Sequence, residues 1–153
     1  MIKIRDVLES DLTEIHAIEN AVYPTPWSFS FFNMMHLLKE TMFIVATEND
    51  EIVGYCVGEV EKMEKRGTSV QVGHVLNVAV SQNNQQKGIG TILLDEIESR
   101  FIGKEAKMAY LEVRESNAKA QKIYKKRGYQ YVRTSKRYYG NEDGFIMMKA
   151  LTR

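Results

Sequence analysis

Residues 75–94, VLNVAVSQNNQQKGIGTILL, set the tightest limit on what this chain folds into. The first six are apolar and β-branched around one Asn, and read as a buried strand. Residues 81–87 hold two Asn and three Gln and read as a loop. From Gly88 onward, GIGTILLD opens an amphipathic helix. Strand, glycine loop and helix start in succession build an anion site. The first turn of a helix has unpaired backbone N–H groups and a partial positive charge. Glycines, lacking Cβ, let a phosphate come close to that backbone. The stretch therefore reads as a cradle for a diphosphate.

Two familiar cradles do not fit. A Rossmann fingerprint needs a third glycine, and position 93 is Leu. A P-loop needs Lys and then Ser or Thr after its second glycine, and Thr91 and Ile92 stand in those two places here. The plainer alternative is a helix start that tolerates two glycines.

Composition sets the outer bounds. At 153 residues, with 44% hydrophobic and 27% charged, the chain reads as a single domain, 1–153, with a real core. A net charge of +1 gives no footprint for nucleic acid. The single Cys56 cannot form an internal disulfide, which suits a reducing compartment and places the chain in the cytoplasm. No apolar run reaches the ~20 residues of a membrane span. The N-terminus MIKIRDVLESD lacks the apolar core of a secretory signal.

Taken in order, residues 2–7 alternate as a strand. Ser10 or Asp11 can cap the next helix, which carries Leu12, Ile15, Ile18 and Val22 on one face. Tyr23-Pro24-Thr25-Pro26-Trp27 must break it. Ser28 caps a second helix with Phe31, Phe32, Met35 and Leu38. Strands at 42–46, 52–60 and roughly 70–80, joined by short turns, predict an antiparallel meander. The strand at 108–113 follows a helix and should lie parallel to 75–80. Ser116 caps a helix through Ala120, Ile123 and Tyr124, and Gly128 ends it in the left-handed region. Strands from 129 and at 145–149 close the chain. The class is α+β: a mixed central sheet of about seven strands with about four helices on its two faces.

Several separated segments carry a resemblance. Gln85-Gln86-Lys87-Gly88-Ile89-Gly90 fits the pattern (Q/R)xxGx(G/A), and LEVRESNAKAQKIYKKRGY accompanies it. Both resemble the GCN5-related N-acetyltransferase (GNAT) superfamily. GHVLNVAV and RYYGNEDGFIMMK resemble its archaeal and eukaryotic N-terminal acetyltransferases, and VYPTPWS its bacterial ribosomal-protein alanine acetyltransferases. The similarity spans roughly residues 2–149. It implies acetyl transfer from acetyl-CoA to the α-amino group of a protein or peptide in a ternary complex. N-termini, those of ribosomal proteins included, are the implied partners of a monomer or weak homodimer. Acetylation of a lysine or small amine is the alternative.

The resemblance also implies roles. Backbone groups of Val78, Ala79 and Val80 pair with the pantetheine arm beside a splayed pair of parallel strands, although side chains alone make them core. A bulge is expected within 77–80. Backbone N–H groups of Gln86, Lys87, Gly88, Ile89, Gly90 and Thr91 hold the diphosphate. Asn117, Tyr124 and Lys126 contact the coenzyme. Tyr124, a phenol of pKa about 10, is the candidate acid for a departing thiolate whose acid has pKa about 8.5. Two groups compete as base. Glu112 is an acidic residue on a strand where an apolar one is normal. His74 starts the cradle strand, with a pKa suited to proton relay. A structural ion pair of Glu112 with Arg114 is the alternative to a catalytic Glu112. Tyr23, Pro24, Thr25 and Trp27 form one expected wall of a peptide groove, and Tyr138 and Tyr139 the other. Residues 20–22, Asn-Ala-Val, supply no acidic residue to select a small first residue. Three scattered histidines give no metal-ligand spacing, so no metal is expected.

Overall fold

Strand alternation explains the centre of the molecule. In the computed structural model, which describes residues 1–152, the chain runs β1 (Ile2–Asp6), α1 (Leu12–Val22), α2 (Phe29–Leu37), β2 (Thr41–Glu48) and β3 (Glu51–Lys65). It continues β4 (Thr68–Val80), α3 (Ile89–Gly103), β5 (Met108–Arg114), α4 (Ala118–Lys126), β6 (Gln130–Ser135) and β7 (Gly144–Ala150). Along β2, Phe43 and Val45 turn to one face of the sheet, and Ile44 and Ala46 to the other. All four are buried, as a strand covered on both sides requires. The seven strands form one sheet, ordered β1-β2-β3-β4-β5-β7-β6. Every neighbouring pair is antiparallel except β4 and β5. The expected element order and the α+β class hold.

Each face has its own core. Leu12, Ile15 and Ile18 of α1 and Phe32 of α2 cover Phe43, Val45, Tyr55 and Val57. Leu93, Leu94, Ile97 and Phe101 of α3 cover Ile44, Ala46, Val75 and Leu111 on the other face. Each fully buried aliphatic side chain contributes about 2 kcal/mol. Helix α3 lies tight on the sheet at Gly73, where a Cβ would come within 2.2 Å of the Phe101 ring. Glu98, buried on α3, ties this face together by accepting from Arg127, Lys149 and the Tyr129 phenol. No helix among the described residues is long and apolar enough to cross a membrane.

Several local expectations change. β3 and β4 run further than expected, because the charged stretch at 61–68 continues as a hairpin whose turn, at Arg66 and Gly67, has positive φ. Ser28 caps α2 as expected, accepting from the Phe31 N–H. Asp11 does not cap α1: its carboxylate turns back to the Leu8 N–H and to Arg5. Asn117, not Ser116, caps α4, accepting from the Ala120 N–H at 3.1 Å. Leu38 falls beyond α2 and is 47% exposed, and Ile123 points outward at 40%.

Candidate active site

One extra residue opens the sheet. β4 pairs with β3 through Gly58↔Val75 and then Val57↔Asn77, which leaves Leu76 as a β-bulge. The bulge was expected within 77–80 and lies one residue earlier. β4 and β5 pair only from Val72↔Met108 to Val75↔Leu111. Beyond that, β4 stays with β3, β5 stays with β7, and the two part. The strands are parallel and splayed as expected, and the parting begins at the bulge, directly after Val75.

The parted edge of β4 is partly covered. The Ser81 N–H donates to the Val53 carbonyl, so the backbone groups of Ala79 also face β3. Those of Val78 and Val80 therefore face the gap. Side chains already sit on both carbonyls: the Tyr23 phenol donates to Val78, and the Gln85 amide donates to Val80 at 3.1 Å. The Val78 and Val80 N–H groups are the donors left to the gap.

The glycine loop follows directly. Gln86 and Gly88 have φ of 66° and 82°, and Gly88 is the N-cap of α3. A Cβ at Gly88 would meet nothing within 4 Å, and one at Gly90 only the Val80 side chain at 3.9 Å. The space before the α3 N-terminus is open, so an anion can reach its N–H groups. Lys87 is exposed and donates to Asn84 at 3.3 Å.

The two candidate bases touch. His74 Nε2 lies 2.7 Å from Glu112 Oε1, and Nδ1 lies 2.8 Å from Glu61 Oε2. A carboxylate only accepts, so the doubly protonated ring is the form that donates at both nitrogens. Burial opposes that charge, but the bonds from Glu112 and Glu61 outweigh it and hold the His74 pKa above its ordinary value. Glu112 lines the groove and His74 does not, standing behind it. The alternative Glu112–Arg114 ion pair does not form. Glu59, Glu61 and His74 also bring ligand-type atoms within 4.8 Å of one another, which histidine spacing did not signal. Both ring nitrogens are already taken by the carboxylates.

Tyr124 enters from α4 on the opposite side. Its burial pushes the phenol well above the ordinary range, so it keeps its proton. Among the described residues nothing bonds its oxygen. Tyr23, Thr25, Trp27, Tyr138, Tyr139 and Asn117 line the same cavity, of about 320 Å³. Tyr138 lies beside Glu112, and burial with that charge pushes its phenol up to about 12. Ala79 packs into the core under α1. Pro24 and Lys126 are exposed and outside the cavity.

Sequence reasoning missed three residues that shape the groove. Arg114, only 8% exposed, donates to Glu142 at 2.8 Å and to the Thr25 hydroxyl, and stacks on the Tyr139 ring at 4.4 Å. It clasps one wall to the other. Glu19, 2% exposed on α1, accepts from the Tyr55 phenol, the Asn77 amide and the Trp27 N–H. It fixes the 23–27 breaker against the bulge and itself lines the cavity. An acidic residue four positions after Ile15, on the apolar face of α1, was the available signal. Glu61, on β3, left no signal in the sequence.

A sheet that parts beside an open helix N-terminus, with the Glu112 carboxylate and the Tyr124 phenol lining the gap, suits acyl transfer. The model of the acetyltransferase (GNAT) family matches residues 9–129, and the chain belongs to that family. An N-alpha-acetyltransferase of Sulfurisphaera tokodaii is 33% identical over 97% of this chain and 93% of its own. A [ribosomal protein bS18]-alanine N-acetyltransferase of Haemophilus ducreyi is 26% identical over 92% and 91%. Among solved structures, Chaetomium thermophilum Naa20 in complex with a bisubstrate analogue superposes with a TM-score of 0.85 at 25% identity, covering 97% of this chain and 86% of that one.

Proposed function

We propose that this chain, acting as one domain over residues 1–153, transfers the acetyl group of acetyl-CoA to the α-amino group of a protein or peptide. One observation carries the reading: the parted edge of β4, with two unclaimed N–H donors, runs from the glycine loop straight to Glu112 and Tyr124. The relatives named for N-terminal acetylation support the choice of amine.

Acetyl-CoA brings an activated thioester. The open backbone from Gln86 to Thr91 suits its diphosphate, with clear space beside Gly88 and Gly90. Val78 and Val80 align the arm by their N–H groups, and the Val78 N–H stabilises charge on the carbonyl oxygen. Glu112 accepts the proton of the incoming ammonium, whose ordinary pKa is about 8. Tyr124 holds a proton beside the leaving sulfur. Between the walls, the aromatic rings exclude water, and the Arg114 clasp keeps them together.

The test is a peptide panel with free or blocked N-termini, varied first residues and internal lysines, including the N-termini of ribosomal proteins. Mass spectrometry is expected to place one acetyl group on the α-nitrogen. A product acetylated only on lysine, or only on small amines, overturns the reading.

A further inference from the structure

Glu61 sits outside the groove, yet it completes the groove's most ordered polar cluster. It lies on β3, opposite Val72 of β4. One of its oxygens accepts from His74 Nδ1 at 2.8 Å, and the other accepts from the Tyr110 phenol at 2.6 Å. The Tyr110 ring stacks on the imidazole, with centroids 4.1 Å apart and planes within 16°. The ring therefore has a fixed plane and a fixed partner at each nitrogen. The groups facing it are Glu59 and Glu61 from β3, and Tyr110 and Glu112 from β5, with Tyr138 beyond Glu112.

Geometry assigns the consequence. With only the Glu112 partner, a neutral imidazole could place its lone pair on Nε2 and push the carboxylate away. With carboxylates at both nitrogens, any neutral tautomer turns a lone pair on a negative oxygen. The doubly protonated ring is the one form that satisfies both. We propose that Glu61 is a positioning residue for acetyl transfer: it holds the His74 ring donating through Nε2, which pins one oxygen of Glu112 and leaves the other for the substrate amine. Tyr110 holds Glu61 in turn. The inference rests on the α-amine reading above and adds a residue behind it.

The test compares wild type with Glu61→Ala and Glu61→Gln, all with chelator present so that no cation competes for the cluster. NMR of the imidazole follows the His74 titration without substrate. In both variants it is expected to move to lower pH, by about one unit for the loss of an adjacent charge. Steady-state profiles then follow. The descending alkaline limb of kcat moves down with the His74 titration, and kcat falls about tenfold in Glu61→Ala, while KM for acetyl-CoA holds. Glu61→Gln, which still offers Nδ1 a hydrogen-bond partner, recovers part of kcat but not the titration. An unmoved His74 titration overturns the inference. So does a moved titration with an unmoved alkaline limb, which leaves Glu61 a purely structural group. Wild type that acetylates no α-amine sinks the functional reading instead, and the substrate-free titration still judges Glu61.

Discussion

The two halves of the β4–β5 pair have the same two strands and opposite solutions for their backbones. From Val72 to Val75, β4 bonds to β5 as any sheet does. Past the Leu76 bulge, that partner is gone, and side chains or nothing take its place. Tyr23 and Gln85 cover two carbonyls, and two N–H groups stay open. Open strand donors beside a cavity are costly unless a ligand meets them. The paired half therefore carries stability, and the parted half carries function at the expense of local pairing. Substitutions separate the halves: changes in the parted half should strike activity and leave melting unchanged, whereas changes in the paired half should move stability, and reach activity only through the Glu61–His74–Glu112 contacts.

The largest effect is expected at Tyr124. Its phenol oxygen has no protein partner among the described residues, so Tyr124→Phe removes no internal bond. kcat should fall about 10²–10³-fold, with acetyl-CoA affinity and Tm near wild type. A loss confined to affinity would refute the acid role, and a large fall in Tm would break the division between halves. Gly90→Val comes next. Its new side chain has room on the protein side, with only Val80 at 3.9 Å. It stands instead where an anion would approach the α3 N-terminus. Acetyl-CoA binding, read by calorimetry, should weaken roughly 10–100-fold, with Tm kept. Unchanged binding would mean that the cradle lies elsewhere.

What the sequence made legible divides along the same line. The strand, loop and helix of 75–94 show in local periodicity, and the two glycines lie within one turn. The meander and the crossover to a parallel β5 follow from short turns and from one helix between strands. The bulge does not, because it is a one-residue mismatch between β3 and β4 that neither strand displays alone. His74 meets Glu61 across 13 residues of chain and Glu112 across 38, and Arg114 meets Glu142 across 28. Such meetings depend on sheet order and register. Glu112 stood out as an acid on an apolar strand, and Arg114, two residues on, was the one partner the sequence offered it as an alternative to catalysis. The parted half lets Arg114 turn to the opposite wall instead.

The smallest expected effect tests the paired half. His74 lies within it, and its carboxylates raise its pKa in the folded protein. A group raised on folding adds stability that is complete below its unfolded pKa of about 6.5. That stability disappears as pH rises through the higher folded value. His74→Gln removes the titrating group and keeps a polar side chain of similar reach. The Tm difference between wild type and His74→Gln should therefore be widest near about pH 6, where carboxylates are still ionised, and shrink towards about pH 9. Scanning fluorimetry across that range, without acetyl-CoA, reads it directly. A difference that stays flat would mean that the ring adds nothing by its charge. The paired half would then owe its stability to backbone bonds and packing alone. A difference that widens with pH would mean that the imidazole is neutral between its carboxylates, and the arrangement holding Glu112 would have to be drawn anew.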